Sequence, residues 1–211
     1  MKLTISYIES AFNKYNALYF NGVLRRPSFK ITNSKCRLGT LATRVSPFGT
    51  KVHTLSISKY YDRTEKQYDN TIIHEMIHLY ISQMNIIDNG SHGRRFKAEC
   101  ARINKYGWNL SRTTDASDWK LSEEAQKQEK KRLANASYNV IVYKESPHSQ
   151  FILRVSNGNE NRYMEHLKKY GYEVKLFKTN DVVFEKLPCC RNRIRGRRLY
   201  GHELEFKKYM I

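Results

Sequence analysis

Three of the chain's seven histidines, His74, His78 and His92, fall within nineteen residues, in the run TIIHEMIHLYISQMNIIDNGSHGRRF at 71–96. His74 and His78 stand four apart. On a helix that spacing puts two imidazoles on one face a turn apart, where they can share one ion. Neutral imidazole nitrogens bind zinc at about 2.0–2.1 Å, and a catalytic zinc site keeps three protein ligands and one open position for water. Glu75 projects about 100° further round the helix. Its carboxylate therefore falls beside that water rather than among the ligands, where it can take the proton and pass it to a leaving amine. The chemistry implied is hydrolysis. The bland alternative is an amphipathic helix that exposes two histidines. The flanking Ile72, Ile73, Ile77 and Leu79 speak against it, because they bury the helix and leave the His/Glu face to a cleft.

A third ligand has two candidates. His92 follows DNGS and precedes Gly93, so a turn can swing it back over the helix; Glu99 lies further on. With two histidines placed, an imidazole on a flexible turn completes a three-histidine site, which favours His92. Glu99 is then an outer partner of a ligand ring or an exposed helix residue. Ile81 stands where the compact HExxHxxGxxH arrangement needs glycine, which argues against the metzincin pattern. His53, His148, His166 and His202 carry no assignment, although His53 is the nearest to the expected cleft.

The elements that must hold these residues read as follows. Ile5, Ile8, Phe12, Tyr15 and Tyr19 recur at helical spacing over 4–20, with Ser6 and Glu9 a candidate capping box and Gly22 the stop. SFKIT, LGTLATRV and VHTLSIS read as strands parted by turn signals. KQYDNTIIHEMIHLYISQM is the helix of the histidine pair. HGRRFKAECARINKY is the next, with Phe96, Cys100 and Ile103 on one face and Gly107 as its stop. An α+β unit thus spans 1–118. The charged stretch 119–137 reads as a connecting helix or linker. Over 138–188 the order β-β-α-β-β forms a second small domain, its last strand drawn from VVFEKL, and 189–211 is a basic segment with five arginines between 191 and 198.

The net charge is +18, divided evenly: residues 1–118 carry 18 basic and 9 acidic side chains, residues 119–211 carry 20 and 11. A field of that sign favours a polyanionic partner. No window approaches the roughly 18 apolar residues of a membrane helix, and the N-terminal residues do not resemble an export signal. Cys36, Cys100, Cys189 and Cys190 form no CxxC pair, which points to a reducing cytoplasm. Cys189 and Cys190 with His202 make a weak second metal candidate.

From about Ser6 to Arg112 the chain resembles the SprT-like (Spartan-related) zinc metalloprotease domains. The resemblance rests on YFNGVL, CRLGTL, HTLSIS and TIIHEMIHLYI, and above all on the pairing of HEMIH with a later GSHGRRF. It implies a zincin-like fold, a helical core with a small mixed sheet. It makes His74, His78 and His92 the ligands of one catalytic Zn2+ and Glu75 the base. It also implies HTLSISK as an edge strand that takes an extended peptide. Members of the family degrade proteins trapped on DNA, so the resemblance implies a protein substrate, single-stranded or damaged DNA as partner, a role in DNA repair, and a cytoplasmic location, nuclear if the source is eukaryotic. The cysteine-rich ribbon of many relatives is missing; the second domain and RNRIRGRR stand in its place, the latter suited to phosphate contacts. Two other functions fit the same residues. One is a non-proteolytic zinc-containing nucleic-acid-binding protein, which has no use for Glu75. The other is a mobile-element or defence peptidase with one specific target.

Overall fold

The computed structural model describes residues 1–47, 49–146, 148–187, 189–190, 197–199, 204–209 and 211. The chain divides into two compact units, Met1–Lys127 and Gln128–Ile211.

The first unit opens with α1 (Ile5–Phe20). Its cap is Thr4, whose hydroxyl accepts the Tyr7 N–H at 3.1 Å. The expected Ser6/Glu9 box is thus corrected, since Ser6 already lies inside the first turn. The helix stops on Asn21, left-handed at φ 51°, followed by Gly22 at φ 72°. Three strands follow, β1 (Ser28–Thr32), β2 (Gly39–Val45) and β3 (Lys51–Ser58), in the spatial order β1-β3-β2. β2 runs antiparallel to β3 with Leu41 opposite Leu55, and β1 runs parallel to β3 with Phe29 opposite Leu55. The strand HTLSIS is therefore central, not an edge. β2 pairs with one side of it and β1 with the other. Alternation along a strand reports which face is buried but not which strands are neighbours; the edges are β1 and β2, and β2 is the one that lines the cleft of His74 and His78.

α2 (Glu65–Gln83) begins with a capping box: Thr64 Oγ1 accepts the Gln67 N–H at 3.3 Å, and Gln67 Oε1 accepts the Thr64 N–H at 2.8 Å. The helix is buried on most sides, with Ile72, Ile73, Met76, Ile77 and Leu79 fully enclosed. Each such side chain contributes about 1.5–3 kcal/mol on burial. Ile8, Phe12 and Tyr15 of α1, Leu55 and Ile57 of β3, and Phe96, Cys100 and Ile103 of α3 (Arg94–Asn104) complete this core. Asp69, buried on α2, accepts from Tyr7 Oη at 2.5 Å and Tyr15 Oη at 2.6 Å, which locks α1 onto the site-bearing helix. Among the described residues no helix is long and apolar enough to cross a membrane.

The division between the units falls within α4 (Glu123–Ala134). In the second unit β4 (Tyr138–Ser146), β5 (Ser149–Val155), β6 (Glu173–Thr179), β7 (Cys189–Cys190) and β8 (Arg197–Leu199) form one sheet, in the order β6-β4-β5-β7 with β8 also on β5. α5 (Glu160–Lys169) packs Tyr163 and Leu167 on one face, against Ile141, Leu153 and Val155. On the other face Phe184, Phe206 and Tyr209 cover Val140, Val142 and Ile152. The strand expected over 182–187 is corrected to a 3-10 helix, Val182–Lys186, whose N-terminus Asp181 caps by accepting the Val183 N–H at 3.2 Å. A short apolar run has no period that tells strand from buried turn. Of the arginine cluster only Arg197 and Arg198 lie among the described residues, and His202 lies outside them.

The whole is an α+β protein with five α-helices and two small mixed sheets among the described residues.

Candidate metal centre

α2 presents His74 and His78 on one face, and the loop entering α3 returns His92 over them. His92 Nε2 lies 3.2 Å from Nε2 of His74 and 3.2 Å from Nε2 of His78. Two nitrogens about 2.05 Å from a tetrahedral ion are about 3.3 Å apart, so this spacing fits a metal. The three residues are the group that can hold an ion among the described residues, their ligand atoms all within 4.8 Å of one another. Phe96, itself buried, packs against all three imidazoles with ring centroids at 4.9, 4.5 and 4.7 Å and fixes their planes. Burial, helped by His78 and His92, pushes His74 down to about 4 against a hydrogen bond to the Ser111 backbone that favours its charged form. Burial and His92 push His78 down to about 4. Burial and then Arg112 also lower His92. The rings are held neutral with lone pairs to donate, the form a metal requires.

The returning loop owes its shape to Asp88. Its Oδ1 accepts the N–H of Asn89 at 2.9 Å and of Arg95 at 3.2 Å, and its Oδ2 accepts that of Phe96 at 3.0 Å. Asn89 Oδ1 takes the Arg94 N–H at 3.0 Å. Gly93, the residue that precedes α3, offers no side-chain cap, so Asp88 and Asn89 supply it from a distance. A Cβ at Gly93 would collide with both of their oxygens. Desolvation opposes the Asp88 charge, but the Phe96, Arg95, Asn89 and Arg94 N–H groups outweigh it and hold the carboxyl below its ordinary value.

Glu75 is buried, 5% exposed, and burial pushes its carboxyl up to about 8 against a hydrogen bond from the Leu41 backbone N–H of β2. A cation on the triad would favour its ionised form. Gly39 presses on the same carboxylate: a Cβ there would lie 2.6 Å from Glu75 Oε1. The triad and Glu75 open into a cleft of ≈ 800 Å³, walled by residues 36–41 and Thr43, by α2, and by Ser91, Arg112, Thr113 and Thr114. The loop bearing Arg112 is tied down by Asn70 Nδ2 donating to the Asn109 carbonyl at 3.1 Å and by the Leu110 N–H donating to Asn104 Oδ1 at 2.7 Å.

A family model of the SprT-like family matches residues 8–116, slightly more than half of the chain. The chain belongs to the SprT-like family. The SprT-like segment contains the triad, Glu75 and every residue that lines the cleft, and membership is consistent with a metallopeptidase. No curated protein matches the chain.

Within the SprT-like segment the structure brings His74, His78 and His92 together and sets Glu75 in the same cleft. Glu99 goes elsewhere: its carboxylate takes Arg102 at 2.7 and 2.9 Å. His53 is buried on central β3 with Nε2 3.0 Å from Ser82 Oγ, and it is not among the residues lining the cleft. Sequence reasoning assigned no site role to Gly39, Asp88 or Arg112, and it marked Phe96 only as a residue of the packed helix face. A lone glycine within a strand pattern signals close approach of another group, and that was the available sign for Gly39.

Proposed function

We propose that this protein is a zinc endopeptidase with a zincin-like catalytic unit, acting on proteins held on DNA. The observation that carries the reading is the convergence of three imidazoles, with His92 Nε2 3.2 Å from Nε2 of both His74 and His78, in a cleft that also holds a buried carboxylate bonded to a strand backbone. His74, His78 and His92 would hold the Zn2+ through Nε2. Zn2+ held there would supply Lewis-acid activation of a water and of the scissile carbonyl.

The chain's own residues do the rest. Glu75 takes a proton from the attacking water as its oxygen bonds to the carbonyl carbon, and delivers that proton to the amide nitrogen as the C–N bond breaks. The outer edge of β2 pairs with no strand among the described residues. An extended substrate can hydrogen-bond along it and lie across the histidines. The net charge of +18 supports a nucleic-acid partner.

The test is incubation of zinc-loaded protein with an unfolded generic protein, with and without single-stranded DNA, beside Glu75→Gln. The expected result is DNA-stimulated cleavage, reduced about 10²–10⁴-fold in Glu75→Gln with one zinc retained. Full activity in that variant would refute the mechanism. Cleavage indifferent to DNA would refute the DNA association alone.

A further inference from the structure

We infer that the cleft selects acidic peptide segments, with Arg37 and Arg112 recognising carboxylate side chains that flank the scissile bond. This rests on the peptidase reading above and names the substrate class of the same site.

Arg37 comes from the stretch leading into β2, Arg112 from the loop after α3, and both are exposed and line the cleft. Neither forms an ion pair among the described residues. Arg112 lines the same cleft as His74, His78 and His92. The one carboxylate among the described residues lining the cleft is Glu75, which is buried and engaged by Leu41. The cleft therefore has two unspent guanidinium groups and no acidic side chain left to meet them.

The remaining wall points the same way. Leu38 and Leu41 are its large apolar side chains; hydroxyls of Ser and Thr dominate elsewhere. A wall of that kind gives a bulky hydrophobic side chain little to bury against. A carboxylate, in contrast, can take a bidentate, charge-assisted pair from either arginine. The positive field also draws an acidic segment in from solution. In a groove open to water such pairs are modest, so the expected effect is a preference of about 3–5-fold in kcat/KM for each acidic residue.

The experiment takes a peptide spanning a cleavage site mapped in the generic substrate and makes three versions, with Glu, Gln or Lys on either side of the scissile bond. Rates are measured with the zinc-loaded full chain at about 50 and about 500 mM salt, where screening differs strongly. The expected order is Glu, then Gln, then Lys, with roughly a tenfold or larger Glu/Lys ratio that narrows at high salt. Arg37→Gln and Arg112→Gln each bring that ratio towards one. Equal rates, or a preference for Lys, in the wild-type protein overturn the inference without any variant. A Glu/Lys ratio that survives both substitutions, while binding of single-stranded DNA weakens, assigns the guanidiniums to phosphate and also overturns it. If no generic substrate is cut at all, the peptidase reading fails and takes this inference with it, an outcome distinct from cleavage without charge preference.

Discussion

Gly39 and Glu75 occupy each other's space: a Cβ on Gly39 would meet Glu75 Oε1 at 2.6 Å, Glu75 Cγ at 2.9 Å and Thr71 Cγ2 at 2.7 Å. The edge strand can approach α2 this closely because position 39 has no side chain. The approach lets the Leu41 N–H reach the Glu75 carboxylate. Gly39→Ala is expected to push that carboxylate off its donor. A misplacement of about 1 Å can cost on the order of 10²-fold in kcat, while the three histidines keep their ion. Steady-state kinetics paired with zinc stoichiometry check this. Unchanged kcat would mean that the contact does not position the base.

The triad makes a separate prediction about affinity. Outer partners of a metal ligand are worth about 10–100-fold in metal affinity, so loss of a ligand itself should exceed 100-fold. His92→Ala is expected to pass that mark in competition with a chromophoric chelator. Glu99→Gln should leave affinity unaltered, because its carboxylate is engaged with Arg102. The opposite ranking would move the third ligand to Glu99.

Asp88 predicts a linked loss. Its carboxylate satisfies backbone N–H groups at the start of α3 and shapes the turn that carries His92. Asp88→Ala is expected to lower stability, because backbone N–H groups at the start of α3 lose their acceptor. It should also weaken zinc binding by about 10-fold, as for other supports of a ligand. Denaturant titrations of zinc-free and zinc-loaded protein separate the two effects. A stability loss that is the same in both forms would show that the cap does not support His92.

What the sequence disclosed follows from which constraints are local. The i, i+4 spacing of His74 and His78 fixes their common face once the segment is helical, and the apolar flanks made α2 legible. His92 was approachable because a turn rich in Asp, Asn and Gly can reverse the chain. Strand order was not legible: the pattern within a strand does not say which strands pair, and only pairing across the fold puts β3 in the centre. The same holds for Gly39, whose role depends on a residue 36 positions away, and for 182–187, where Asp181 caps a 3-10 turn that an apolar run cannot announce. The cap of α1 was misplaced by two residues because Thr4 and Ser6 are chemically equivalent caps.

The Asp69–tyrosine bridge yields the last prediction, one about stability rather than chemistry. Asp69 sits five positions before His74 and accepts from Tyr7 and Tyr15 at 2.5 and 2.6 Å, so α1 is held to α2 by two charge-assisted bonds. Burial, and then the hydrogen bond to Asp69, raises both phenols, which keeps them protonated as donors at any physiological pH. Asp69→Asn keeps the shape but removes the charge and turns one acceptor into a donor facing a hydroxyl. Bonds to a charged group are worth about 1.5–3 kcal/mol each. With partial compensation from the amide the expected loss is about 2–3 kcal/mol, roughly 5–10 °C in Tm for a unit of this size. Tyr7→Phe and Tyr15→Phe should each cost less than Asp69→Asn, and a double-mutant cycle should show the tyrosines coupled through the carboxylate. Calorimetry of the zinc-loaded protein reads this directly. A Tm unchanged in Asp69→Asn would show that apolar packing alone seats α1.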